Sequence, residues 1–596
     1  MGLICGIYKR NYEHVGSESF NKILNNSQYY TSKSKYIMNQ ANVAMAEFNL
    51  NVIPEVRPLN KLTNIGPYYI VADCRLDNRE NLIKQLQVED MYISDSMLII
   101  LAYKKWGERC CNYLLGDFVF LIWDKTNNTL FAARDPLGIK PFFYKITSNE
   151  FIFSSSIKSI QNTKKVTNWN KDYLIDFLYR KGMPNDYETP YPDIKRLPRG
   201  SSIKVSSNHF QIERYWRLDP HKKITYANDE DYIEHFMKIF KDSIVNRLRG
   251  SSDVAVMMSG GLDSTSIYAI AKSLNYENSI FPISCVFDEH TEADERHYII
   301  PVLEKYKEKN YEFLVSDDYW ILKGFPNYAP DMDEPSRNSL THSMVLNSYL
   351  KAKKRDSNIV LTGYAGDQVF GFNPYYIAEY LRKFRFIKFL SESKQLARSN
   401  NDPLIWAIKE YGLKTFKRRH EKPTVLLPRY HEAALERAIE RNTIKDPSLR
   451  AQYDYIDQAQ NLSYTRVVSE SLGIETRYPF LDVRLVEFLF AIPTSQKIEE
   501  AQTKVLLRKA MKDFLPSAVL NQYGKATTNM LLFEGLKKEW HKIYPILKNS
   551  ILAEMQIIDG KKFIDQIDRY RHGELTAGMD YISAFQLELW LQEHSK

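Results

Sequence analysis

Two unlike rhythms in one chain predict an α+β sandwich followed by an α/β domain with a parallel, doubly wound sheet and a largely helical C-terminal part. Up to about residue 212, short β-branched and aromatic runs bounded by Asn, Gly, Pro or Ser dominate, with helices interspersed. From about residue 228, buried strand runs alternate with helical ones, the pattern of a parallel sheet with crossover helices. Beyond about residue 375 nearly everything reads as helix. A chain of 596 residues exceeds what one hydrophobic core serves. Two domains are expected, 1–212 and 228–596.

In the first half the strands are "ANVAMAEFNL", "GPYYIVADCRL", "FVFLIWD", "TLFAARD", "FFYKI", "EFIFSSS" and "SSIKVSS". Among them "SDSMLIILAYKKWG" reads as a helix, capped by Ser94 or Asp95 and stopped by Gly107. The second half opens on the long amphipathic helix "DEDYIEHFMKIFKDSIVNRLRG", ending at Gly250. Strand "DVAVMM", loop "SGGLDS" and helix "TSIYAIAKSL" follow, then strands "IFPISCVF", "YEFLV" and "NIVLTG". In the helical tail, the basic stretch "KTFKRRHEK" reads as a solvated face.

Composition excludes several classes. The longest apolar run, "YLLGDFVFLIW", is short and contains Asp117, so no membrane span is expected. Lys9 and Arg10 follow the first apolar stretch with no long apolar region after them, so no secretory signal is read. Five cysteines without ligand spacing support neither a disulfide framework nor a zinc site, and a reduced, cytoplasmic setting is expected. A net charge of +8 over this length, without an aromatic-and-basic RNA motif, does not point to nucleic acid.

"VMMSGGLDSTS" is the strongest chemical signal. Gly260 and Gly261 after a buried strand let the backbone approach a ligand, and the helix opening at Leu262 points its N–H groups there. Ser259 and Ser264 add hydroxyl donors. Asp263 would repel phosphate directly, so its expected role is to hold Mg²⁺ that bridges to phosphate oxygens. The lysine and spacing of a Walker loop are absent. A grip without them fits retention of pyrophosphate while the α-phosphorus of ATP is attacked, which yields an acyl adenylate.

A second loop, "VLTGYAGDQVFGF", leaves another buried strand. Carboxyl ends of strands share one crevice in such sheets, so Gly363, Tyr364, Gly366 and Asp367 should face the same ligand as Asp263, and the two aspartates could share the metal. Glu292, Asp294 and Glu295, in "DEHTEADERHYI", either cap a helix or meet substrate.

These motifs resemble the asparagine synthetase family, in which a glutamine-hydrolysing, Ntn-hydrolase-like domain precedes a PP-loop ATP-pyrophosphatase domain. "CRLDNRENL", "LGDFVFLIWD" and "ARDPLGIKPFFY" are similar to the first half. "SGGLDS", "LTGYAGD", "GIETRYPFLD" and "TKVLLRKAM" are similar to the second. The resemblance implies ATP and Mg²⁺ as cofactors and an AMP-forming C–N ligase.

It also exposes a departure. The family's nucleophile is a cysteine at position 2, freed by removal of Met1; here Gly2 stands there, and Cys5 falls inside the first strand. A thiol with an ordinary pKa near ~8.5 and no adjacent amine is mostly neutral. Arg75 replaces a glutamate of the glutamine-binding stretch, although Asp95 matches. The first domain is therefore expected to be a scaffold, Cys5 to fill space, and the amine to come from the acceptor.

Lasso peptide cyclases (macrolactam synthetases) and β-lactam synthetases are similar in this respect. The resemblance to the former implies adenylation of an Asp or Glu side chain of a precursor peptide and closure onto its N-terminal amine. A leader-peptide-binding protein and a leader peptidase would be partners. In this branch Tyr364 stands where asparagine synthetases carry a glutamate; it would serve either deprotonation of the amine or substrate stacking. Glu470 would be its partner carboxylate or a structural acid. Lys525, in "LNQYGKAT", resembles the family lysine that stabilises transition-state charge, although Gln522 stands where arginine is usual. An ammonia-dependent asparagine synthetase and a non-catalytic scaffold are the alternatives.

Overall fold

The computed structural model describes residues 2–595 except 28–33, 51, 54–61, 162–167, 184–185, 251, 275, 328, 417–422, 460–461, 523, 525 and 575–579. The expected strands all form, and they build two six-stranded antiparallel sheets. One runs Lys195–Arg196, Phe143–Ile146, Glu150–Ser154, Gly2–Lys9, Val43–Asn49, Ser34–Gln40. The other runs Phe210–Arg214, Ser201–Val205, Thr129–Arg134, Gly116–Asp124, Tyr68–Leu76, Asn64–Ile65.

Strand periodicity explains how the sheets stack. In Gly2–Lys9, Ile4 and Tyr8 enter a core shared with Val119, Leu121 and Trp123 of the other sheet. The alternate residues Leu3, Cys5 and Ile7 pack on the helices Ser17–Asn26 and Lys171–Tyr179. In Gly116–Asp124, the alternate set Phe118, Phe120 and Ile122 packs with Leu82, Leu98 and Ile99 of the helices Arg79–Leu86 and Asp95–Trp106. The result is a four-layer helix–sheet–sheet–helix sandwich. Ser94 caps the helix Asp95–Trp106 by accepting the Met97 N–H, and Gly107 ends it at φ 61°.

Five parallel strands form the third sheet, in the order Glu312–Val315, Ile280–Val286, Val254–Met257, Ile359–Thr362, Glu475–Arg477. The first strand in sequence, Val254–Met257, is central. The chain winds away from it in one direction and returns on its other side at Ile359–Thr362, so the switch point lies between these two strands. Beyond it the chain is mainly helical, with one small hairpin, Ile498–Glu499 with Gln502–Thr503.

Sequence reasoning missed the short strands Ser34–Gln40, Asn64–Ile65, Lys195–Arg196 and Glu475–Arg477. The sandwich also continues past 212, because Phe210–Arg214 pairs with Ser201–Val205.

Buried charge joins the two halves. Arg466 pairs with Glu470 (3.0 Å) and donates to the carbonyls of Ser155 (3.1 Å) and Gly2 (3.3 Å). Arg247 approaches Asp77 and Asp482 at 3.4 Å each, and Arg249 reaches Asp95 at 2.5 Å.

Candidate active site

The loops leaving Val254–Met257 and Ile359–Thr362 line a cavity of about 630 Å³, together with Glu295, Met344, Tyr349 and Tyr464. The first loop is closed by its own serines. Ser264 Oγ accepts the Ser259 N–H (3.0 Å), and Ser259 Oγ accepts the Gly261 N–H (3.2 Å). The helix Leu262–Ser273 starts from Gly261 with no side-chain cap, so its first N–H groups suit an anion. Leu262 turns its side chain into the core.

Of the three acids beyond the next strand, Asp294 accepts the Phe287 N–H (3.0 Å) and pairs with Arg296 (2.8 Å), a structural turn. Glu292 is exposed. Glu295 lines the cavity and accepts the Gly260 N–H (2.9 Å), occupying with its carboxylate a donor that suits phosphate.

The second loop can reach the first only because two of its residues lack side chains. A Cβ on Gly363 would come 2.8 Å from the Ser264 nitrogen, and one on Gly366 would lie 2.3 Å from the Asp263 carboxyl carbon. Asp263 and Asp367 are thereby brought together as expected, but a side chain that sequence reasoning passed over stands between them. Lys504 Nζ lies 2.7 and 2.6 Å from the two oxygens of Asp263 and 2.6 Å from Asp367 Oδ1. Lys504 is buried, sits in the left-handed region at φ 58°, and opens the helix Val505–Ala510. The signal was its place in "TKVLLRKAM", ahead of an apolar run.

Two carboxylates converging on one cationic point fit a hard, oxygen-seeking cation such as Mg²⁺, which usually takes one or two carboxylates plus substrate phosphate oxygens. In this structure the lysine ammonium supplies that charge. Among the described residues, no group of three or more His, Cys, Asp or Glu side chains could hold a metal.

Tyr364 lines the cavity, with its ring edge-to-face on Tyr478 at 5.8 Å. Burial pushes the Tyr478 phenol well up, and Tyr349, Tyr364 and Glu470 add to this. Of the two roles open to Glu470, its surroundings are those of a structural acid: it is absent from the cavity wall and pairs with Arg466 (3.0 Å), and burial raises its carboxyl while Arg466 pulls the other way. Lys525 lies outside the described residues; its neighbours Ala526 and Thr528 line the cavity.

The other candidate centre lies at the start of the first sheet. A Cβ on Gly2 would meet the Phe48 carbonyl oxygen at 2.0 Å, so this backbone has no room for a side chain at position 2. Cys5 is fully buried, and burial pushes its thiol up to about 12, against a small opposing effect of Ser27. Arg75 is engaged by Asp77 (2.9 Å) and Asp117 (2.8 Å). Asp95 is held by Arg79, by Arg249 and by the Leu76 N–H (2.9 Å).

A four-layer sandwich joined to a parallel sheet with a Ser-Gly-Gly loop at its switch point defines an amidotransferase-type sandwich carried by an ATP-pyrophosphatase-type domain. The asparagine synthase family model matches residues 235–592, and a glutamine amidotransferase domain model matches residues 1–216. The chain belongs to the asparagine synthase family, whose members are ATP-dependent C–N ligases.

Asparagine synthetase [glutamine-hydrolyzing] 3 of Bacillus subtilis is 26% identical, over 84% of this chain and 81% of its own. A putative asparagine synthetase of Methanocaldococcus jannaschii is 28% identical over 51% of this chain and 58% of its own. Amidase chry2 of Gibberella zeae is 24% identical over 84% and 83%. A solved glutamine PRPP amidotransferase from B. subtilis shares 14% identity over 47% of this chain and 65% of its own. Its TM-score of 0.27 is too low to add to the fold assignment.

Proposed function

We propose that this chain is an ATP-dependent ligase of the lasso peptide cyclase type. It would activate an Asp or Glu side chain of a processed precursor peptide as its adenylate and close a macrolactam onto the peptide's own N-terminal amine, releasing AMP and pyrophosphate. The observation that carries this reading is the absence of space for a nucleophile at Gly2. An enzyme of this family that cannot free ammonia from glutamine must draw its amine from the acceptor or from solution.

Each step has a group to serve it. The loop Ser259–Ser264 and the helix behind it would grip pyrophosphate. Asp263 and Asp367 would hold Mg²⁺, which when bound neutralises phosphate charge. Lys504 is then free to turn toward the nucleotide. Tyr364, on the cavity wall beside Tyr478, would orient or deprotonate the amine, and Lys525 would stabilise charge during acyl transfer. An α-amine with a reference pKa of about 8 needs only a modest base. Prefolding the peptide supplies proximity on the order of 7–11 kcal/mol. Delivery of the peptide would require the leader-binding protein and the peptidase.

A second reading, ammonia-dependent asparagine synthesis, is favoured by a relative named as a glutamine-hydrolyzing asparagine synthetase that matches most of the chain. Incubation with ATP and a candidate core peptide separates the two. The cyclase reading expects AMP, pyrophosphate and a product one water lighter. AMP formation with free aspartate and ammonium, but none with peptide, favours the second; ADP as product removes both.

A further inference from the structure

Residues 382–416 carry eight Lys and Arg against three Asp and Glu, a net +5. The same stretch holds a dense group of exposed apolar side chains. Ile387 is 88% exposed, Ile405 81%, Phe384 79% and Phe386 57%, with Leu390, Leu404, Trp406 and Leu413 between 40% and 56%.

Core packing does not account for them. The helix Phe386–Asn400 buries Phe389, Leu396 and Ala397, while Phe386, Ile387 and Leu390 in its first turns are exposed. The short helix Leu404–Ala407 packs against it and presents Leu404, Ile405 and Trp406 outward in the same way. Lys383, Phe384, Arg385, Phe386 and Ile387 are exposed in succession, with Phe384 at the turn at φ 55°. Lys394, Arg398 and Lys409 are exposed around them. Arg382, Lys383, Lys388 and Lys414 are ion-paired with Asp446, Glu379, Glu499 and Glu410, so the cationic rim rests on Arg385, Lys394, Arg398 and Lys409; of the acids in the described stretch Glu392 is buried, and Asp402 and Glu410 are half-buried.

We propose that this face docks on an anionic lipid surface. Protruding aliphatic and aromatic side chains inside a cationic rim match an interface whose headgroups are negative and whose interior is apolar. A second copy of the chain is a poorer match, because an isologous contact would set one cationic rim against another. A single-stranded nucleic acid is poorer too, since Ile387, Leu390, Ile405 and Leu413 offer no stacking plane. No helix of the described residues is long and apolar enough to cross a membrane, so the chain would lie on the surface.

The test is sedimentation of the full-length protein with vesicles of phosphatidylcholine, alone or with phosphatidylglycerol. The protein is expected to sediment with the anionic vesicles and to partition on the order of tenfold less onto neutral ones, the preference shrinking as salt rises. Phe384→Asp/Ile387→Asp/Ile405→Asp should lower partitioning by at least about tenfold while leaving the melting temperature unchanged. Quenching of tryptophan fluorescence by brominated lipid, reduced in Trp406→Phe, gives an independent reading. No sedimentation with anionic vesicles overturns the proposal, as does binding that survives the triple substitution. So does a wild-type dimer, measured by light scattering, that the triple substitution dissociates.

Discussion

The residue with the clearest consequence is Lys504. Its ammonium holds Asp263 and Asp367, the two carboxylates proposed to hold Mg²⁺, so it serves as their counter-ion here and, on that proposal, would turn away when nucleotide and Mg²⁺ bind. Lys504→Met should cost about 3 kcal/mol, the lower end of what breaking a buried pair costs, because Asp263 is left buried and charged. Added Mg²⁺ should raise the melting temperature of the variant more than that of the wild type. Equal gains in calorimetry would mean that the two aspartates are no metal site. The same residue marks what sequence could and could not give. The aspartates and glycines were legible because a Gly-Gly turn between strand and helix has few other uses. Lys504 was not legible, since its burial depends on a left-handed turn and a fold contact across more than 200 positions in sequence.

At the scale of elements, the site exists because two strand ends meet at the switch point of a parallel sheet. That much was readable from the alternation of buried runs with helices, and the helix Asp95–Trp106 was readable to its capping residue. The short edge strands were not, because two to seven residues with mixed polarity form only when a neighbour supplies the ladder. The choice between the two roles of Glu470 was not legible for a related reason: an acid beside a motif gives no hint of which way its helix faces, and here it faces the sandwich. Close approach of the two loops is the fragile part. Gly366→Ala would place a methyl 2.3 Å from the Asp263 carboxyl carbon. It should lower AMP formation about a hundredfold or more, with the far-UV circular dichroism spectrum unchanged. Near-normal turnover would show that the loops need not touch.

At the scale of the whole molecule, the sandwich and the nucleotide half are joined by arginine pairs, which on the proposed function hold Asp95 and the backbone at position 2 in structural roles. Arg249 takes Asp95, Arg466 holds the carbonyl of Gly2, and Arg75 is locked between aspartates. The sequence signalled this through Gly2, Arg75 and the lack of an arginine in "AMAEFNLN"; the steric closure at position 2 appears only once Phe48 is placed beside it. The most direct measurement is the release of glutamate when the purified full-length protein is given glutamine, ATP, Mg²⁺ and an acceptor that supports AMP formation. Glutamate should stay at the level of a protein-free blank while AMP accumulates, whereas glutamate appearing in step with AMP would contradict the claim that the acceptor must bring its own amine.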